Sequence, residues 1–96
     1  MRFFYLISVL LSSSLLASET AVIYDHPSIT DVRFVFTDPM MNTAADKYFS
    51  TTTCQLRFQA ANSVRENIVT QPCKAEAIKF ILNSGYKNID RNIYAK

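Results

Sequence analysis

At 96 residues, 49% hydrophobic and with a formal net charge of +2, the chain has room for one domain. A single glycine argues against many-turned sandwiches and barrels. The small charge and the lack of an RNA-binding aromatic motif exclude nucleic acid as the expected partner.

Residues 1–18 have the grammar of a secretory signal peptide. Met1-Arg2 is a positive start, Phe3 to Leu11 an apolar core, and Ser12 to Ser18 a stretch of mostly small residues, with cleavage expected after Ser18. The apolar stretch is shorter than the ~20 residues of a spanning helix, and no cysteine follows it to take a lipid. The expected location is outside the cytoplasm, periplasmic or secreted. Cleavage leaves 78 residues, a size at which a single core profits from a staple. Export supplies the oxidising conditions in which Cys54 and Cys73 form a disulfide, worth about 3 kcal/mol in the chain-entropy model. A metal or redox role needs C-x-x-C spacing or neighbouring histidines. Neither is present, so no metal or cofactor is expected. Charge is uneven in the remainder: −3 over residues 19–53 and +4 over residues 54–96, an asymmetry that can orient a binding surface.

In chain order, residues 19–29 form an amino-terminal arm or edge strand, Thr20-Ala-Val-Ile-Tyr24 followed by the turn Asp25-His-Pro-Ser28. Residues 30–96 form a single small α+β domain. Val32, Phe34 and Phe36 alternate with Asp31, Arg33 and Val35 in a half-buried strand. Asp38-Pro39 opens a helix, aspartate as cap and proline at the first helical position. Its apolar face is Met40, Met41, Ala44, Ala45, Tyr48 and Phe49. The next strand is Cys54 to Ala60, with Cys54, Leu56, Phe58 and Ala60 on one side. Ala61-Asn-Ser63 is its hairpin turn, and Val64 to Thr70 returns with an open register because Glu66 shares a side with Val64 and Ile68. The helix from Pro72 carries a stripe of Ala77, Ile78, Ile81 and Leu82, with Phe80 at its border, and stops at Gly85. Tyr86 to Tyr94 is a final strand.

That order is strand, helix, strand, strand, helix, strand. It is the ferredoxin-like split βαβ plan (β-α-β-β-α-β), with both helices on one face of a four-stranded antiparallel sheet ordered 4-1-3-2. A simpler α+β meander is the alternative. The plan also brings Cys54 beside Cys73. Lys74-Ala-Glu-Ala-Ile78 and Gly85-Tyr-Lys-Asn88 resemble the last helix and strand of SPOR-type peptidoglycan-binding domains, although Val69-Thr-Gln-Pro72 stands where that family has a glycine-containing strand.

Catalysis is not expected. The one histidine, His26, adjoins Asp25 in a turn and has no nucleophile, metal-ligand or phosphate-loop motif beside it. If the helices cover the side bearing Phe34, Phe36, Leu56 and Phe58, alternation puts Arg33, Val35, Gln55, Arg57 and Gln59 on the other side, joined by Asn92 and Tyr94 from the last strand. Amides, guanidinium groups and an aromatic ring suit a polar polymer or an acidic protein patch. The expected function is a small exported interaction module of the cell envelope, its partner an envelope or extracellular protein or a cell-wall polymer. The alternative is a secreted effector, toxin component or inhibitor.

Overall fold

The computed structural model describes residues 19–26 and 29–96; the proposed signal peptide lies outside them. Strands β1 (Thr20–Asp25) and β2 (Asp31–Phe36) precede helix α1 (Pro39–Phe49). Strands β3 (Arg57–Ala61) and β4 (Val64–Thr70) lead through a 3-10 turn (Gln71–Cys73) to helix α2 (Lys74–Asn83), and strands β5 (Lys87–Asp90) and β6 (Ile93–Ala95) close the chain. All six strands make one antiparallel sheet in the order β3-β4-β2-β1-β6-β5. No helix among the described residues is long and apolar enough to cross a membrane.

The α+β class with two helices and an antiparallel sheet is as expected. The four-stranded ferredoxin-like sheet is not. β3, β4 and β2 are neighbours as that plan requires, but β1 is inserted beside β2 and the last segment is a hairpin instead of a strand. Thr20–Asp25 is thus an interior strand, paired with β2 on one side and β6 on the other, where the sequence suggested an arm or an edge. Its residues are apolar on both faces, which removes the alternation that identifies a half-buried strand. The second surprise has a local cause. Asp90 accepts from the Arg91 N–H at 2.8 Å, and the Asn88 amide donates to the carbonyl oxygens of Asp90 and Ile93 at 2.6 and 3.2 Å. Those side-chain bonds fold a turn into what alternation alone presents as one strand.

Both helices pack on one face. Asp38 accepts from the Met40 N–H at 3.0 Å and Pro39 follows it, so α1 starts where the cap satisfies a free donor. Met41, Ala45 and Phe49, four residues apart, are its buried row, while Met40 is 75% exposed. In α2 the buried row is Ala77, Phe80 and Ile81, and Leu82 points outward; the stripe is turned toward Phe80 relative to expectation. These rows meet Ala21, Ile23, Val32, Phe34, Phe36 and Val69 from the sheet in one core. Phe34 packs on Phe49 and Phe36 on Phe80, ring centroids 6.0 and 6.1 Å apart, and each such buried ring is worth about 1.5–3 kcal/mol over its exposed state. The Tyr48 hydroxyl donates to Glu76, tying α1 to α2. Gly85, at φ +96°, ends α2 in a conformation that side chains disfavour.

Phe58 lies on the helix-covered side but beyond the helices, 61% exposed; no residue of β3 is buried. That strand is held from two places. The Cys54–Cys73 disulfide, with Cα atoms 5.8 Å apart, joins the segment before β3 to the start of α2, as the sequence suggested. Arg65 of β4 grips Asp46 of α1 with two bonds of 3.0 and 2.5 Å, donates to Asn67 at 2.9 Å, and sits 4.1 Å from the centre of the Phe58 ring. Asn67 is fully buried and satisfied: its amide donates to the Phe34 carbonyl oxygen at 3.1 Å and to Asn42 at 3.0 Å.

Candidate functional site: the uncovered sheet face

The face opposite the helices follows from register. Tyr24 stands against Arg33, and Arg33 against Ile68, which in turn faces Arg57. The next row runs Val35, Val22, Ile93 across β2, β1 and β6. Because alternate residues of a strand share a face, Asp31, Glu66 and Gln59 belong to this side as well.

Its two halves differ. Over β3, β4 and β2 the charges are paired within the chain. Arg33 donates to Glu66 at 2.8 Å, Gln59 donates to the same carboxylate oxygen at 3.0 Å, and Arg57 lies 3.0 Å from Asp31. Ile68 sits between the two arginines in register and is buried although no helix covers it; arginine stems laid along the sheet provide that kind of cover. Over β2, β1 and β6 the face is apolar. Val35 and Val22 are half-buried, Ile93 is 36% and Tyr24 58% exposed.

Where the halves meet, at the end of β1, a recess of about 370 Å³ is lined by Tyr24, His26, Ile29, Asp31, Arg33 and Asn92, together with Ile23 and Asp25. The Lys74 ammonium, 2.5 Å away, and the Gln71 amide hold the Asp25 carboxyl below its ordinary value. Asp25 thereby ties the end of β1 to the start of α2 and stays ionised. Its carboxylate is engaged with Lys74 and Gln71. Among the described residues no group of three or more His, Cys, Asp or Glu could hold a metal ion.

Of the residues singled out from sequence, Arg33, Val35, Arg57 and Gln59 do share this face. Gln55 does not belong to β3; it lines a separate hollow beside the disulfide with Asp46, Ser50 and Thr52. Asn92 sits in the β5–β6 turn, where its carbonyl accepts from the Ile23 N–H at 2.9 Å, and reaches the recess. Tyr94 is displaced most. It stands against Ala21 on the helix side and is 6% exposed, because the turn before β6 resets the alternation and gives the uncovered face to Ile93. Val22, Tyr24 and Ile93 were missed. The signal for the first two was present as the second alternation inside Thr20–Asp25, hidden by the apolar residues between them.

No family model, curated protein or solved structure matches the chain, so the resemblance to SPOR-type domains gains no support from such comparisons.

Proposed function

We propose that the chain is a small exported binding module of the cell envelope, not an enzyme, and that it takes a protein partner on the apolar half of its uncovered sheet face. The observation that carries this reading is the row Val35, Val22, Ile93 with Tyr24 beside it, left uncovered by both helices. Aliphatic side chains next to an amphipathic tyrosine suit the apolar side chains of another protein. A cell-wall polymer recognised through Arg33 and Arg57 is the weaker alternative, since both guanidinium groups are already engaged with Glu66 and Asp31. The Cys54–Cys73 bond is compatible with an oxidising, exported location.

A photoreactive phenylalanine analogue placed at Tyr24, expressed in the native host, tests the reading. We expect an adduct to a different protein from position 24 and none to a different protein from the same probe at Gln59, with the chain retained in the envelope fraction. Adducts to a different protein from Gln59 alone, or co-sedimentation with purified cell wall and no adduct to a different protein, contradict it. Accumulation in the medium favours the secreted effector or inhibitor instead.

A further inference from the structure

The two edges of the sheet are unequally protected. β5 has four residues, two of them charged, and its pairing is broken by a register shift between Asn88 and Asp90, which blunts it as an edge. β3 has none of these defences. Its five residues pair with β4 in unbroken register, contain no proline and are all exposed, and its one charge, Arg57, is drawn back to Asp31.

The hydrogen-bonding parity of β3 is fixed by its turn. Ala61 and Val64 flank a two-residue loop, Asn62 and Ser63, both at positive φ, so they exchange both backbone bonds. Alternation then turns the N–H and C=O groups of Arg57, Gln59 and Ala61 toward β4, and those of Phe58 and Ala60 toward the open edge.

We propose that this edge pairs with β3 of a second copy of the chain, antiparallel and two-fold symmetric about Gln59. In that register Phe58 of each copy exchanges both backbone bonds with Ala60 of the other, a large side chain against a small one. Gln59 meets Gln59, and Arg57 meets Ala61, so no like charges oppose each other. The two Phe58 rings become diagonal neighbours about 7–8 Å apart, within reach of aromatic side chains. That contact covers the ring that is 61% exposed in the single chain. Moving the axis by one residue keeps the bonding parity but shortens the pairing: about Phe58 or Ala60 only three residues of β3 face β3 of the other copy, and one pair in place of two exchanges backbone bonds. The contact is small, hence weak and concentration-dependent. It lies on the β3 edge, away from the Val22 row, so dimerisation and partner binding are separable.

The test is sedimentation of residues 19–96 with the disulfide intact, from micromolar to millimolar concentration, together with cysteine pairing. Gln59→Cys, at a pair of non-hydrogen-bonded positions where the Cα atoms approach to about 4.5 Å, should oxidise to a covalent dimer. Ala61→Cys, two residues further from the axis, should not. Gln59→Lys, which retains Glu66 as a partner but sets two ammonium groups face to face, should shift the dimerisation midpoint at least tenfold upward. Ala60→Pro, which removes an outward N–H only, should abolish the dimer with an unchanged circular dichroism spectrum. A chain monomeric at millimolar concentration, equal crosslinking at both cysteine positions, or a dimer indifferent to Gln59→Lys overturns the proposal. So does capture of an extended peptide by this edge without self-association.

Discussion

The two halves of the uncovered face belong to one sheet and share the strand β2, yet they have met solvent in opposite ways. Over β3 and β4 the polar side chains complete one another: Arg33 and Gln59 converge on Glu66, and Arg57 reaches across β4 to Asp31. Over β1 and β6 there is nothing to complete: Tyr24 and Ile93 are exposed, and Val22 is half-buried with no helix over it. The comparison separates exposed charge from available charge. A guanidinium group already bonded to a carboxylate must lose that bond before it can recognise anything else, whereas an uncovered valine gains from the first apolar surface that covers it.

The charged half is also the one held from outside the sheet, and its supports can be removed in order of their expected effect. Replacing both Cys54 and Cys73 by serine should lower the unfolding free energy by about 3 kcal/mol. Urea titration measures that loss, and amide exchange should quicken in β3 before it does in β1. Next, Asn67→Ala takes away the amide that joins β2, β4 and α1 and leaves Asn42 and Arg65 short of a partner; a cost of about 1–3 kcal/mol is expected in the same titration. Ser63→Gly works the other way. Ser63 has φ +65° in the β3–β4 turn, where glycine is free of the steric penalty, so a gain of about 1 kcal/mol is expected as a raised melting temperature.

The smallest of these effects is a pH dependence. Bonding to Lys74 and Gln71 lowers the Asp25 carboxyl, and bonding to Arg65 lowers that of Asp46. On acidification the unfolded chain therefore takes up these protons before the folded one. The stabilisation is whole above the ordinary carboxylate range and is lost as pH falls through it and past the lowered folded values. Asp25→Asn should flatten the acid limb of the stability profile and leave the neutral region little steeper or shallower. An unchanged acid limb would show that the Asp25–Lys74 contact is not formed in solution.

Much of the fold was legible because it rests on local chemistry. The Asp38-Pro39 cap, the stop at Gly85, the Asn62-Ser63 turn and the Cys54–Cys73 staple each depend on residues within a few positions or on compartment. The strand order was less legible, for reasons that particular residues explain. Thr20–Asp25 is apolar on both faces, and an interior strand of that kind gives no alternation to follow. The β5–β6 turn is made by Asn88 and Asp90 side chains, a device that composition does not advertise. The site was half legible: alternation put Arg33, Val35, Arg57 and Gln59 together, but it could not reveal that Glu66 and Asp31 would occupy the arginines, because both pairs join different strands and form only once register is set.

The central claim is that the uncovered face binds through its apolar half and merely stabilises itself through its charged half. Two double variants carrying the photoreactive probe at position 24 test it directly: Val22→Thr with Ile93→Thr, which keeps β-branched shape while adding hydroxyls, and Arg33→Ala with Arg57→Ala. The account predicts that the threonine pair loses the protein adduct with an unchanged fold, and that the alanine pair keeps it while losing no more than about 1 kcal/mol per exposed ion pair. An adduct that survives the threonine pair and disappears with the arginines would contradict it.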